Sequence, residues 1–210
     1  MWVKKGRMAS QKENHKTLEE WAGSKHLILT LVFTDIVGST EIGNSLGDTN
    51  WIKDLFVHFK RARSLAASYN GYVVKVIGDE VMAAFRTSTD AVRFALAFAT
   101  ETGIDYVGIR VGIHSGEVQI RDNDIYGLNV NFAARVQAKL DSEGILLSNA
   151  VKEDYENASE WSADIIFSRV RKKLKSFRGT QLLWRAVTSA SNNAAIAQRR
   201  KRKNVVVNYW

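Results

Sequence analysis

Residues 31–40 read L-V-F-T-D-I-V-G-S-T. Leu31, Val32, Phe33 and Thr34 favour an extended strand, because β-branched and aromatic side chains suit a pleated surface. Asp35 stands at its end, and Gly38, Ser39 and Thr40 suit a tight turn that opens a helix. A carboxylate at a strand end can hold a hard cation, and amides in the turn behind it can cradle phosphate. One acid is not a site, so a second is needed on a neighbouring strand. Residues 72–85, Y-V-V-K-V-I-G-D-E-V-M-A-A-F, supply it: two apolar runs broken at Gly78-Asp79 make a hairpin with an acidic tip. Laid beside the first strand, this hairpin lets Asp35 and Asp79 share a cation. Two carboxylates plus phosphate oxygens are the usual protein site for magnesium.

Working outward, residues 1–26 are polar and mixed, with Trp2 and Trp21 as large apolar anchors, and read as an N-terminal arm. The first strand covers residues 27–34. Residues 40–69 read as one helix, ended by Asn70-Gly71 as a C-cap. After the hairpin, Ser88 or Thr89 caps a helix with a continuous apolar face through Phe98, stopped by Gly103. Residues 107–118, V-G-I-R-V-G-I-H-S-G-E-V, predict a strand pair bending at His114-Ser115-Gly116. Asp122-Asn123-Asp124 is a turn, and residues 125–140 predict a helix. A short strand at 144–148, a helix capped by Asn149, and late strands at 165–170 and 181–187 complete the pattern. Strand, helix, two strands, helix, strand is the ferredoxin-like α+β order, one sheet with helices on one face. That order hosts many functions and names none.

The 210 residues suggest one domain with extensions, and 45% hydrophobic content supports a core. There is no 18-residue apolar run and hence no expected membrane span. The start, M-W-V-K-K-G-R, is not followed by an apolar segment, so no signal peptide is expected. The absence of cysteine excludes disulfides and thiol chemistry. Together these point to the cytoplasm. The net charge of +8 is uneven: after Asp164 there is no acid, while twelve basic residues lie between Arg169 and Lys203. Residues 188–210 read as a basic tail. Its stretch Q-R-R-K-R-K, at 198–203, is read as a solvated extension, so nucleic acid is not an expected partner; V-V-V-N-Y-W, at 205–210, is β-prone.

Four motifs in order, F-T-D-I-V-G-S-T, V-K-V-I-G-D-E-V, I-R-V-G-I-H-S-G and D-I-Y-G-L-N-V-N-F-A-A-R, make residues 27–187 resemble a class III nucleotidyl cyclase catalytic domain. The resemblance implies two divalent cations, Mg2+ or Mn2+, on Asp35, Asp79 and the Ile36 carbonyl. It implies a triphosphate held by the turn Ile36, Val37, Gly38, Ser39 and Thr40, and by Arg110. It gives Asn131 the ribose, Arg135 the transition state, and Lys75 with Asp124 the base. L-K-S-F-R-G resembles the family's Leu-Lys-Gly-Phe stretch, which makes Lys175 a phosphate-binding lysine, with Arg178 as its alternative and Ser176 in the glycine's place. His114 follows the motif without a catalytic role, and Glu80 is expected on the face opposite Asp79.

In that family one subunit lends the metal half of the site and the other the base-reading half. This chain carries both, which implies a head-to-tail homodimer with shared active sites. Lys75 and Asp124 resemble the adenine-reading pair, which argues against GTP. A donor beside an acceptor also satisfies uracil or cytosine. The short arms resemble the pyrimidine cyclases of bacterial anti-phage signalling, the Pycsar type, so UTP is the expected substrate and cyclic UMP the product. ATP and CTP are the alternatives, and a separate cyclic-nucleotide-responsive effector is the expected partner. Gly78-Asp79-Glu80 is also similar to part of the diguanylate cyclase signature, but the doubled glycine is missing. A non-catalytic nucleotide- or nucleic-acid-binding module is the reading from another class.

Overall fold

In the computed structural model, which describes residues 16–159 and 164–189, the opening stretch becomes a central strand. The elements are α1 (Leu18–Ala22), β1 (His26–Ile36), α2 (Ser39–Leu46), α3 (Asp48–Ser68), β2 (Tyr72–Ile77), β3 (Glu80–Phe85) and α4 (Ser88–Thr100). They continue as β4 (Ile109–Arg121), β5 (Asp124–Tyr126), α5 (Leu128–Gln137), β6 (Gly144–Ser148), α6 (Asn149–Asn157), β7 (Ile165–Lys173) and β8 (Thr180–Thr188). Trp2 and the segments at 198–203 and 205–210 lie outside the described residues. No helix among the described residues is long and apolar enough to cross a membrane.

The sheet runs β2-β3-β1-β4-β6-β8-β7, with β5 paired to β4. β1 pairs antiparallel with both β3 and β4, so it is flanked on both edges. It is buried on both faces, which is why its sequence is a nearly continuous apolar run rather than an alternation. Its first four strands take the expected ferredoxin-like neighbours. The expectation of helices on one face does not hold. Val32, Val81, Ala83, Val111 and Ile113 pack with α3, α4 and α6. On the other face Leu29, Leu31, Phe33 and Met82 pack with Leu18 and Ala22 of α1 and Ala133 of α5. The helix of the last motif, α5, is thus added to the face that the ferredoxin-like unit leaves bare.

Several boundaries differ for physical reasons. The single helix expected over 40–69 is two, divided at Gly47, whose φ 77 and ψ 150 are not helical. The bend expected at His114-Ser115-Gly116 is absent: β4 is one strand, held along its length against β1. The helix expected over 125–140 begins only at Leu128, because Asp124–Tyr126 is spent on β5 after a turn in which Asp122 and Asn123 take positive φ. Thr87 rather than Ser88 or Thr89 caps α4, accepting from the Asp90 amide. Ser148 rather than Asn149 holds the N-cap position of α6.

Candidate active site

Asp35 shares the strand parity of Leu31 and Phe33, so it faces the α5 side of the sheet, and its partner in register across β4 is Arg110. The Arg110 guanidinium forms an ion pair with Asp35 through Oδ2. The hairpin brings Asp79 to the same place: its Oδ2 accepts from the Ile36 amide at 3.1 Å. Asp35, Asp79 and Arg110, from three separate motifs, therefore converge at one end of β1. Burial, followed by the neighbouring Asp79, raises the Asp35 carboxyl above its ordinary value, and the Arg110 guanidinium opposes that rise. Glu80 was expected on the opposite face, yet its carboxyl is raised by burial and then by Asp35 and Asp79. It therefore feels the same cluster of negative charge.

Two close acids that repel one another fit a divalent cation, since a bound cation relieves the like-charge cost that raises Asp35. Among the described residues no group of three or more histidine, cysteine, aspartate or glutamate side chains is arranged for a metal. A cation here would have two carboxylates and the Ile36 backbone to draw on, with the remaining positions left to other oxygens. Arg110 keeps an unspent donor: its Nε is buried and has no hydrogen-bond partner among the described residues. Behind the acids, Gly38 takes the left-handed φ of 70 and caps α2 with no side-chain hydrogen bond. The first amides of that helix, at Ser39 and Thr40, are thereby left without a side-chain acceptor, the arrangement that suits an anion.

Lys75 and Asp124 meet, with Nζ at 2.9 Å from Oδ1 and 2.6 Å from Oδ2. In a regular strand Lys75 would point to the face opposite its neighbours Val74 and Val76. Instead a bulge between Val73 and Lys75 shifts the register, so that Lys75 faces Met82, a residue of the α5-side core. The inserted residue is what aims the lysine towards β5. Asp124 opens β5 and is not a helix cap, since Gly127 holds that position for α5. Its Oδ1 also accepts from the Ile125 amide at 2.8 Å, which fixes the carboxylate.

Asn131 and Arg135 lie four apart on α5, and both are exposed. Lys175 and Arg178 are exposed in the turn between β7 and β8. That turn is anchored by buried Leu174 and by Phe177, whose ring meets Phe132 of α5 at 4.9 Å. The fold thus gathers the candidates into three groups: Asp35 with Asp79 and Arg110; Lys75 with Asp124; and the outward residues of α5 and its neighbouring turn.

Sequence reasoning missed one contributor. Gln137, at the end of α5, is 7% exposed, and its Nε2 donates to Asp35 Oδ2 at 3.4 Å. His114 was assigned no catalytic role, and it makes none of the contacts above. Its Nδ1 lies 2.9 Å from Ser148 Oγ and its Nε2 3.0 Å from Asn129 Oδ1. Because Asn129 spends its amide donor on the Glu117 carbonyl, its Oδ1 must accept, and His114 carries its proton on Nε2. His114 thereby ties β4 to the first turn of α5.

Residues 24–175 match the family described as Adenylate and Guanylate cyclase catalytic domain. The chain is 30% identical over 129 residues to an adenylate cyclase of Streptomyces coelicolor, covering 60% of this chain and 34% of that protein. It is 31% identical over 121 residues to an adenylate cyclase of Streptomyces griseus, covering 56% and 30%. It therefore spans about a third of the length of these relatives. Among solved structures it resembles the adenylyl cyclase CyaB from P. aeruginosa, with TM-score 0.68, 21% identity, and coverage of 77% of this chain and 94% of that one. It also resembles the guanylate cyclase domain of RhGC from Catenaria anguillulae in complex with GTP, with TM-score 0.66, 19% identity, and coverage of 79% and 99%. At such identities these structures bear on the fold alone.

Proposed function

The chain belongs to the adenylate and guanylate cyclase catalytic domain family, and on that premise we propose that it converts a nucleoside triphosphate to its 3′,5′-cyclic monophosphate and pyrophosphate. The observation that carries the reading is the meeting of Asp35, Asp79 and Arg110, with a buried donor on the arginine that has no partner among the described residues. The ribose 3′-oxygen bonds to the α-phosphorus, the bond from the α-phosphorus to the oxygen bridging to the β-phosphate breaks to release pyrophosphate, and the hydroxyl proton passes to solvent water. Asp35, Asp79 and the Ile36 carbonyl would hold two divalent cations, Mg2+ or Mn2+, which when bound acidify the 3′-hydroxyl and neutralise the leaving pyrophosphate. The α2 amides at Ser39 and Thr40, in the turn from Ile36 through Val37 and Gly38, cradle the triphosphate with Arg110. Arg135 stabilises the five-coordinate phosphorus through its planar fork, Asn131 orients the ribose, and Lys175 contacts phosphate.

The Lys75–Asp124 pair supplies a donor and an acceptor side by side. Adenine matches it with N1 and its amino group, uracil with O4 and N3–H, and cytosine with N3 and its amino group. The names of the Streptomyces relatives support ATP. UTP, the expectation from sequence, is supported by the same permissive pair, and with it goes a role in anti-phage signalling through a separate effector. The protein acts as a homodimer with shared sites, in the cytoplasm. Purified protein is incubated with Mn2+ and each of the four nucleoside triphosphates, and products are identified by mass spectrometry. Cyclic AMP alone selects ATP, and cyclic UMP alone selects UTP. Cyclic GMP alone overturns the base assignment, and no cyclic product from any of them overturns the activity. Asp35→Ala abolishes product formation.

A further inference from the structure

Gln137 has no part in the roles assigned so far, yet it is buried at the end of α5 with its amide on a metal-holding acid. The approach that allows this is built into β4. A Cβ on Gly112 would stand 2.2 Å from the Gln137 backbone nitrogen, so the glycine is what lets α5 close onto the strand here. Gly112 lies two residues beyond Arg110 on the same face, which puts the helix end beside the Asp35–Arg110 pair. Gln137 and Arg110 both donate to Asp35 Oδ2, leaving Oδ1 as the oxygen to offer a cation.

We propose that Gln137 is a positioning residue for Asp35, holding the carboxylate from α5 in the orientation that a divalent cation requires. The inference rests on the reading of Asp35 as a metal-holding acid. The two donors differ in kind. Arg110 brings a positive charge that opposes a cation on the same carboxylate, and it is also the candidate to reach phosphate. A neutral amide orients the acid without that electrostatic cost, and it stays in place when the guanidinium changes partner. The same helix presents Asn131 and Arg135 outward, so one element serves its own chain's acid with its last residue and a triphosphate with its exposed face.

The test uses full-length Gln137→Met, which keeps volume and loses the donor, with Gln137→Ala as a second variant; a thermal melt checks the fold of both. Mn2+ binding without nucleotide is read from the electron paramagnetic resonance signal of free Mn2+. Half-saturation rises about tenfold in both variants, in line with the loss of a partner behind a ligating carboxylate. Turnover recovers towards wild type at high Mn2+, with KM for the triphosphate little changed. Wild-type Mn2+ binding in a folded variant, while Asp35→Ala loses binding, overturns the inference alone. Unchanged binding in Asp35→Ala overturns the metal reading itself, and this inference with it.

Discussion

Ser176 holds φ 71, a backbone region that costs a side-chain-bearing residue about 1–2 kcal/mol. The family stretch that this turn resembles carries glycine there. Ser176→Gly therefore stabilises the chain by about 1 kcal/mol after the added flexibility of the unfolded glycine is counted. A melting temperature raised by about 2–4 °C records it; a lowered one means that the serine side chain has a structural task. His58 makes an acid-side prediction. It is fully buried, its Nδ1 donates to the Thr102 carbonyl at 2.7 Å, and its Nε2 has no partner among the described residues. Burial lowers its pKa below the ordinary 6.5, against the weaker pull of that hydrogen bond. Above about 6.5 the group is neutral folded and unfolded and pH changes nothing. As pH falls through that value the unfolded chain takes up the proton first, and stability is lost. In His58→Phe, beside Phe59 and Phe98, denaturant titrations from pH 7.5 to 5 show a shallower fall than wild type.

At the scale of elements, the proposed roles of Asn131 and Arg135 make α5 matter most, because those side chains are only as well aimed as the helix that carries them. His114 pins its first turn through Asn129 and packs on Phe132 at a tilt, with ring centres 4.1 Å apart. His114→Ala leaves Ser148 and Asn129 short of a partner and removes that ring contact, at a cost of about 1–3 kcal/mol. Chemical denaturation measures that loss. A fall in kcat greater than any rise in KM for the triphosphate shows that the aim of α5 has suffered as well. Which elements were legible follows from what a pattern can hold. The acids, the hairpin and β6 stand out because a strand end, a Gly-Asp tip and a short apolar run are local signals. Gly47 was read through because the apolar spacing continues on either side of it. The bulge at Val74 hides because one inserted residue leaves a strand looking like a strand. Gln137 hides because a lone glutamine on a helix has no period, and only the closeness permitted by Gly112 gives it a task.

For the whole molecule, the proposed homodimer with shared sites divides the residue groups between two copies. The acids of Asp35 and Asp79 converge at the end of β1, while Asn131 and Arg135 stay exposed on α5. Large apolar side chains stand exposed near both groups: Leu128, which opens α5, is 76% exposed and Tyr126 just before it 49%, while Ile77, at the hairpin that carries Asp79, is 53% exposed. Exposed apolar side chains beside candidate site residues suit an interface better than water. If one copy lends its acids and the other its α5 residues, Asp35→Ala and Arg135→Ala are each inactive alone. Mixed and allowed to exchange subunits, they regain activity, because one site in the mixed dimer then carries neither substitution. Leu128→Asp puts an unpaired charge into the same interface. It shifts the protein towards monomer in sedimentation velocity, and with it abolishes both the activity of the homodimer and the rescue on mixing. Restored activity on mixing without a dimer, or a dimeric Leu128→Asp with full activity, would place the shared site on another surface. An Arg135→Ala chain active by itself would instead return the whole reaction to a single copy.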